Sequence, residues 1–289
     1  MPTVSIIILN YNTFALTCKC IATVIEFTKG VNYEIILVDN CSTKDNANDF
    51  LLHFPNITLI KSPANKGFAN GNNLGIAAAK GEFILLLNSD CYLIDDAISK
   101  TINYYFQEKL HGVLTTKLIF PDGRLQHTAR KYRSIWWEIF DTLRFIPFLF
   151  PYKQRANLML GKYFKCNYNT SCDWVSGAYF LFKKEMLLKL PNTKLDETFF
   201  MYGEDHLWCY IFDTLGYKCY YFSDATVVHL NNGSTDLNKQ LQLRKTMLSH
   251  EIKILEIRKK SWLYIFFFKL LIYPKEYARI WAKQFFPNI

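Results

Sequence analysis

The sequence predicts an α/β fold with a doubly wound, mostly parallel sheet flanked by helices, and three observations carry that prediction. Four short apolar runs (Val4 to Leu9, Tyr33 to Val38, Ile57 to Ile60 and Phe83 to Leu87) have the length of strands buried on both faces. Helix-length segments separate them, and strands alternating with helices at this spacing build a parallel sheet. Three runs stop abruptly in polar residues: Asn10-Tyr11-Asn12, Asp39-Asn40-Cys41-Ser42 and Asn88-Ser89-Asp90. Open α/β sheets bind their ligands outside the carboxyl ends of the strands, where these residues fall.

Taken in order, Thr13 is placed to cap a helix reaching about Phe27, and another helix starts near Lys44. Asn65 to Lys80 has glycine and alanine early and helix formers late. Gly112 to Phe120 reads as a strand, and Pro121-Asp122-Gly123 as a turn. Ile135 to Phe150 is strongly aromatic and is broken by Pro147 and Pro151. A strand over Tyr179 to Phe182 precedes the acidic segment Asp196 to Asp205 and a helix to Leu215. Two further strands are expected, Lys218 to Phe222 and Ala225 to His229. No GxGxxG or GxxxxGK[ST] follows the first strand, which speaks against a dinucleotide-binding dehydrogenase and a P-loop nucleotidase.

With 289 residues, half of them hydrophobic and 17% aromatic, the chain is able to bury a sizeable core. Its net charge of +9 favours a phosphate-bearing partner or an anionic membrane surface. No Lys/Arg-rich block or nucleic-acid motif is present, so nucleic acid is not an expected partner. Eight cysteines form no CxxC unit, which fits free thiols in a reducing compartment. Met1-Pro2-Thr3 runs directly into the first strand and leaves no room for a signal peptide, so a cytoplasmic location is expected.

Across roughly residues 3–235 the motifs resemble those of the inverting glycosyltransferases of family 2, with the GT-A fold, and within them the rhamnosyltransferase-like branch. The resemblance rests on Val4 to Asn12, Val38 to Ser42, Asn65 to Ala69 with Gly71 to Gly75, and Leu87 to Asp90. Val175 to Ala178, Phe199 to Asp205 and Val228-His229 complete it. It implies inverting transfer of a sugar from a nucleoside-diphosphate donor, a dTDP-rhamnose or a UDP-sugar, to a hydroxyl of a glycan or polyprenyl-linked saccharide in cell-surface polysaccharide synthesis. By the same resemblance a Mg²⁺ or Mn²⁺ ion stabilises the leaving diphosphate, held by Asp90 and His229, with Asn88 in place of the usual first aspartate. Read without it, Asp90 is equally a helix cap and His229 a structural histidine.

Asp39 matches the residue that binds the nucleobase; an Asx-turn or helix cap is the other reading. Leu9, Asn10 and Asn12 are expected to line that pocket, with Asn88 and Ser89 beyond. Lys66, Asn70 and Asn73 either contact the nucleotide or only order their helix. Asp205 matches the catalytic base and Glu204 a supporting carboxylate, and a helix N-terminus favours their ionised forms. The family pattern is broken at Leu207 and Ile211, where an aspartate and an arginine are usual. Two other classes share features of this pattern: an inactive glycan-binding protein of the same fold, and a sugar nucleotidyltransferase. The four residues Asp39, Asp90, Asp205 and His229 argue against the first. Asn10-Tyr11-Asn12-Thr13, in place of a glycine-rich basic loop, argues against the second.

The expected organisation is a GT-A domain over 1–235, with a donor-binding half to about 120 and an acceptor-binding half after it. A helical, aromatic-rich extension follows over 236–289. Trp262 to Tyr273 is too short to span a bilayer. Beyond Pro274, Lys275, Arg279 and Lys283 share one helical face and Tyr277, Ile280, Trp281 and Phe285 another, the pattern of an in-plane helix on an anionic membrane. Arg258-Lys259-Lys260 adds charge beside it. The whole predicts a protein peripheral on the inner face of the cell membrane.

Overall fold

The computed structural model describes residues 3–231 and 237–285. In chain order the strands and helices begin with β1 (Val4–Asn10), α1 (Phe14–Phe27), β2 (Tyr33–Asp39), α2 (Asp49–His53), β3 (Thr58–Lys61), α3 (Phe68–Ala78), β4 (Phe83–Asn88) and β5 (Cys91–Leu93). There follow α4 (Ala97–Gln107), β6 (Gly112–Ile119), β7 (Leu125–Gln126), β8 (Ala129–Arg130), α5 (Ile135–Thr142), α6 (Phe145–Phe148) and α7 (Tyr152–Met159). The rest are β9 (Thr170–Cys172), β10 (Trp174–Val175), β11 (Tyr179–Lys183), α8 (Glu204–Thr214), β12 (Lys218–His229), α9 (Leu237–Ile257) and α10 (Trp262–Phe285). The chain forms two compact units: Met1–Arg130 with Lys165–Asn231, and Lys131–Phe164 with Asn232–Ile289. The expected boundary near residue 235 lies outside the described residues, as do Met1 and Pro2.

In the first unit the main sheet runs β3-β2-β1-β4-β11-β6-β12-β5. The pairings β1–β2, β1–β4, β2–β3 and β6–β12 are parallel, and β11 runs antiparallel between β4 and β6. The α/β class and the mostly parallel sheet are thus as the apolar runs predict. Helix α1 buries Thr17, Cys20, Ile21 and Val24, a stripe at i, i+3, i+4 and i+7 that covers one sheet face. Helix α3 covers the other face. Its Gly71 and Gly75 let it approach so closely that an added Cβ would lie 2.4 Å from Leu9 Cδ1 and 2.5 Å from Ile7 Cγ2. Register then places the site: Leu9 lies opposite Val38 and Asn88, and Asn10 opposite Asp39.

Two strand expectations merge. Lys218 to Phe222 and Ala225 to His229 are one strand, β12, whose register shifts between Phe222 and Thr226. The polar pair Ser223-Asp224 reads as a break in sequence but is absorbed as a bulge. Thr116 Oγ1 donates to the Phe222 and Ala225 carbonyls there, and Ser223 N to Asn169 Oδ1 at 2.8 Å.

In the second unit α9 and α10 pack through Ile252, Leu255, Phe268 and Ile272. Helix α10 passes through Pro274 without a break in its assignment. The basic stripe expected on its surface is instead turned inward. Lys275 Nζ bonds Glu138 and, at 3.0 Å, Asp141, while Arg279 bonds Asp141 at 2.9 Å and Glu276 at 2.8 Å. Glu138 and Asp141 are fully buried one helical turn apart on α5, and buried carboxylates demand cations, so they draw that face toward them. The side chains of Ile280, Lys283 and Phe285 lie outside the described residues. Among the described residues no helix is long and apolar enough to cross a membrane.

Candidate active site

Asn10, at the end of β1, is fully buried and organises the first cluster. Its amide donates to Asp39 Oδ1 at 2.8 Å and to Ser42 Oγ at 3.0 Å. Its Oδ1 accepts from Thr17 Oγ1 at 2.8 Å and from Thr13 Oγ1 at 3.0 Å. That fills the capacity of an asparagine side chain. Its own carbonyl accepts from Asn40 N at 2.8 Å. Asn10 therefore acts by fixing Asp39. The other Asp39 oxygen accepts from Ser42 N at 3.1 Å, so the turn bond expected as an alternative role is present as well. Asn12, at φ 56°, ties down the loop facing them: its Oδ1 accepts from Thr43 N and Lys44 N. Ser89 Oγ reaches the same cluster through Thr13 Oγ1 at 3.3 Å.

Asp90 does not cap the next helix. Asp96 caps α4 instead, its Oδ1 accepting from Ser99 N at 3.2 Å. Asp90 Oδ1 lies 3.2 Å from His229 Nε2, and Asn88 Nδ2 lies 3.4 Å from the same nitrogen. The far side of the imidazole is fixed by Gln126, which sequence reasoning did not single out. Gln126 Nε2 donates to the His229 carbonyl at 2.6 Å, which turns its Oε1 to His229 Nδ1 at 2.7 Å. An amide oxygen only accepts, so Nδ1 donates to Gln126, and Nε2 is the ring nitrogen that faces Asp90. Asp90, Cys91 and His229 are the one group of three possible ligands found close together among the described residues. Cys91 Sγ donates to the Ala178 carbonyl at 3.5 Å, and burial beside the Asp90 charge pushes its thiol well up, so it remains a neutral thiol. The oxygen and imidazole donors of Asp90, Asn88 and His229 fit a divalent cation of the Mn²⁺ or Mg²⁺ kind.

The carboxylate pair opens α8. Tyr202 and Gly203 both have positive φ, 67° and 101°, and this kink sets Glu204 and Asp205 in the first helical turn. Asp205 Oδ2 accepts from Gly177 N at 3.0 Å and its Oδ1 from His206 N at 2.8 Å. Glu204 is buried, and its Oε2 has no hydrogen-bond partner among the described residues. Against the field of the helix N-terminus, both groups are raised. Burial and then the neighbouring Asp205 push Glu204 up to about 8, and burial raises Asp205. Three backbone N–H groups (of Gly177, His206 and Asp205 itself) and the Arg130 charge oppose the rise at Asp205, whereas only its own N–H opposes it at Glu204. Asp205 is the first of the pair to ionise, and Glu204 holds the proton. Beside them His206 stacks on Trp174, with centroids 4.9 Å apart, and the Arg130 guanidinium sits 4.9 Å over Trp174.

The remaining candidates sit apart from these clusters. Asn73 is buried, donating to Leu195 O at 2.9 Å and Glu197 Oε1 at 2.8 Å, and Asn70 donates to Glu197 Oε2 at 3.0 Å. Both amides thus anchor the acidic segment to α3, and Lys66 is exposed before it. Gly67, at φ 98°, completes the anchor: a Cβ there would lie 2.4 Å from the Phe200 carbonyl, which accepts from Phe68 N at 2.8 Å. Leu207, where the family pattern has an aspartate, is buried in the core.

Residues 5–188 match the family described as Glycosyl transferase family 2, and the chain belongs to that family. It is 32% identical over 110 residues to glycosyltransferase GlyG of Streptococcus pneumoniae, covering 37% of this chain and 36% of that protein. It is 33% identical over 126 residues to the poly(ribitol-phosphate) beta-glucosyltransferase of Bacillus spizizenii, covering 42% of this chain and 20% of the relative. The chain thus spans well under half of either relative's length. Among solved structures it resembles the mannosyltransferase PcManGT from Pyrobaculum calidifontis, in complex with GDP-Man and Mn2+. The TM-score is 0.61 at 15% identity, over 90% of this chain and 65% of that one. S. aureus TarS 1-349 superposes with a TM-score of 0.51 at 17% identity, covering 86% of this chain and 65% of that one. The fold is that of these GT-A enzymes.

Proposed function

We propose that the protein is an inverting, metal-dependent glycosyltransferase of the rhamnosyltransferase-like branch. It moves a sugar from a nucleoside diphosphate, a dTDP- or UDP-sugar, to a hydroxyl of a glycan or polyprenyl-linked saccharide at the inner face of the membrane. The observation that carries this reading is the Asp90–His229 pair, oriented by Gln126 at the carboxyl end of the sheet, with an Asp205–Glu204 pair of raised pKa on the next polar element. Family membership and the relatives named for glycosyl transfer support it.

In this mechanism Asp39 accepts from the nucleobase through lone pairs left over from Asn10 and Ser42. Asp90 and His229, with Asn88 beside them, would hold Mg²⁺ or Mn²⁺, which would supply positive charge to the leaving diphosphate. Asp205, ionised and fixed by Gly177 N and His206 N, takes the proton of the attacking acceptor hydroxyl. Glu204, protonated at neutral pH, keeps the charge of the pair on Asp205. Lys66 would offer its ammonium to donor phosphate, Leu9 and Ser89 would line the pocket, and Asn70 and Asn73 would act on the donor only through the segment they anchor. The test is turnover of a panel of nucleotide sugars with and without Mn²⁺ for the full chain, Asp90→Ala and Asp205→Asn. Full activity in Asp205→Asn, or equal turnover with a chelator present, overturns the mechanism.

A further inference from the structure

The second unit carries a surface that no catalytic step uses. On α10, Trp262, Phe266, Phe267, Leu270, Tyr277 and Trp281 are between 49% and 77% exposed. At 3.6 residues per turn they fall on one side of the helix, along about 30 Å of its length. Of the charged residues of α10 with described side chains, Lys275, Glu276 and Arg279 fall on the other side, and Lys269 lies at the edge of the face beside Trp262. Helix α10 already packs an apolar stripe inward through Phe268 and Ile272, so this exposed apolar face is a second one that folding of the unit does not use. Its outward orientation is held, because Lys275 and Arg279 are paired with the buried Glu138 and Asp141 beneath. Unbroken apolar patches of this size on a soluble protein mark a contact surface.

We infer that this outward face of α10 lies in the interfacial layer of an anionic bilayer, parallel to its plane. Three features choose a bilayer over a second copy of the chain. The face is bounded by Trp262 at one end and Tyr277 and Trp281 at the other, rings whose polar edge and apolar body suit the headgroup boundary. Exposed Lys259 and Lys260 stand just before the helix, and the chain carries a net +9, which draws it to anionic headgroups. Among the described residues no helix is long and apolar enough to cross a bilayer, and an apolar face on such a helix suits the in-plane mode. The membrane contact is therefore aromatic and apolar, with charge at its border. This is the reverse of a basic stripe with aromatic support. The inference rests on the reading of the protein as peripheral to the membrane, and on nothing in the glycosyl-transfer chemistry.

The experiment is co-sedimentation of the full chain with phosphatidylglycerol/phosphatidylcholine vesicles, beside phosphatidylcholine alone. It is repeated for Phe266→Glu/Leu270→Glu and for Lys259→Gln/Lys260→Gln, with circular dichroism and light scattering on each. Donor turnover is followed in the same samples, so loss of binding and loss of chemistry are read separately. The expected result is at least a tenfold loss of partitioning for the double glutamate variant, with unchanged helicity and turnover. The double glutamine variant loses its preference for anionic vesicles but keeps residual binding. Partitioning of the glutamate variant equal to wild type overturns the inference. So does a wild-type dimer that fails to bind vesicles and that the glutamate variant dissociates. A Phe266→Leu/Leu270→Phe variant that binds as wild type confirms that apolar character, and not local folding, is being read.

Discussion

Replacing Glu204 by glutamine tests the electrostatics of the carboxylate pair without any substrate. Glu204 is 7% exposed, adjoins Asp205, and is raised from an ordinary value of 4.5 to about 8. A raised acid keeps its proton in the fold while the unfolded chain releases it at the ordinary value. The stability this confers is complete below pH 4.5 and is lost as pH rises toward 8; above that both states are ionised and nothing more is lost. Between pH 5 and pH 8 the loss spans about 2.5 pKa units, and at 1.36 kcal/mol per unit it amounts to about 3 kcal/mol. Glutamine has no proton to lose, and any cost of its buried amide is the same at every pH. The stability difference, variant minus wild type, should climb by about 3 kcal/mol over that interval and then level off. The assay is urea unfolding of both proteins across that range with a chelator present, read as the pH dependence of the difference. A difference that stays constant with pH refutes a raised Glu204 whatever its absolute size.

Other perturbations give separate readouts. Asp205→Asn should lower kcat by at least about a hundredfold while the chain stays folded, because a positioned base contributes on the order of 10²–10⁴ in rate. Gln126→Leu frees the His229 ring and should weaken Mn²⁺ binding by roughly 10–100-fold, the usual cost of losing an outer-shell partner, measured by calorimetry without donor. Asn10→Ala removes the amide that holds Asp39 and should raise the donor KM more than it lowers kcat; the opposite split would place Asn10 in the chemistry. Turnover should rise with pH as Asp205 ionises, since the base must be ionised, and Glu204→Gln, a neutral stand-in for the protonated partner, should leave that rise in place.

Much of this architecture was legible before any coordinates. The apolar runs fixed β1, β2 and β4, and because β-strand register is shared, the polar residues that end them had to meet: Asn10 opposite Asp39, and Leu9 opposite Asn88. What stayed hidden depends on long-range partners. Gln126 lies in a two-residue strand with no apolar pattern to announce it, and only its pairing beside Leu118 on β6 brings it toward His229. Lys275 and Arg279 have the spacing of a surface stripe. Their burial is decided by Glu138 and Asp141, some 135 residues earlier inside an aromatic run. Helix dipole reasoning for Glu204 and Asp205 also came out with the wrong sign. A local favourable field of about 0.3–1 kcal/mol per charge is outweighed by burial of two like carboxyl groups side by side.

Gly67→Ala tests whether the carboxylate pair depends on a contact made far from it in sequence. The glycine holds φ 98°, a region that costs an ordinary residue about 1–2 kcal/mol, and a Cβ would meet the Phe200 carbonyl at 2.4 Å. The obstacle is backbone, not the end of a flexible side chain. Relief therefore requires moving residue 200 outward and breaking the bond from Phe68 N. Phe200 is only four residues before Glu204, with the kink at Tyr202 and Gly203 between them. The displacement is thus delivered to the start of α8, where Gly177 N holds Asp205. Catalysis should fall together with stability, and the Glu204 titration should shift toward its ordinary value as the loop lets water in. The Asp90–His229 pair sits on β-strand ends that this contact does not touch, so Mn²⁺ affinity should be unchanged. A variant that loses stability and Mn²⁺ affinity in equal measure would show general loosening of the fold and would refute the specific anchor.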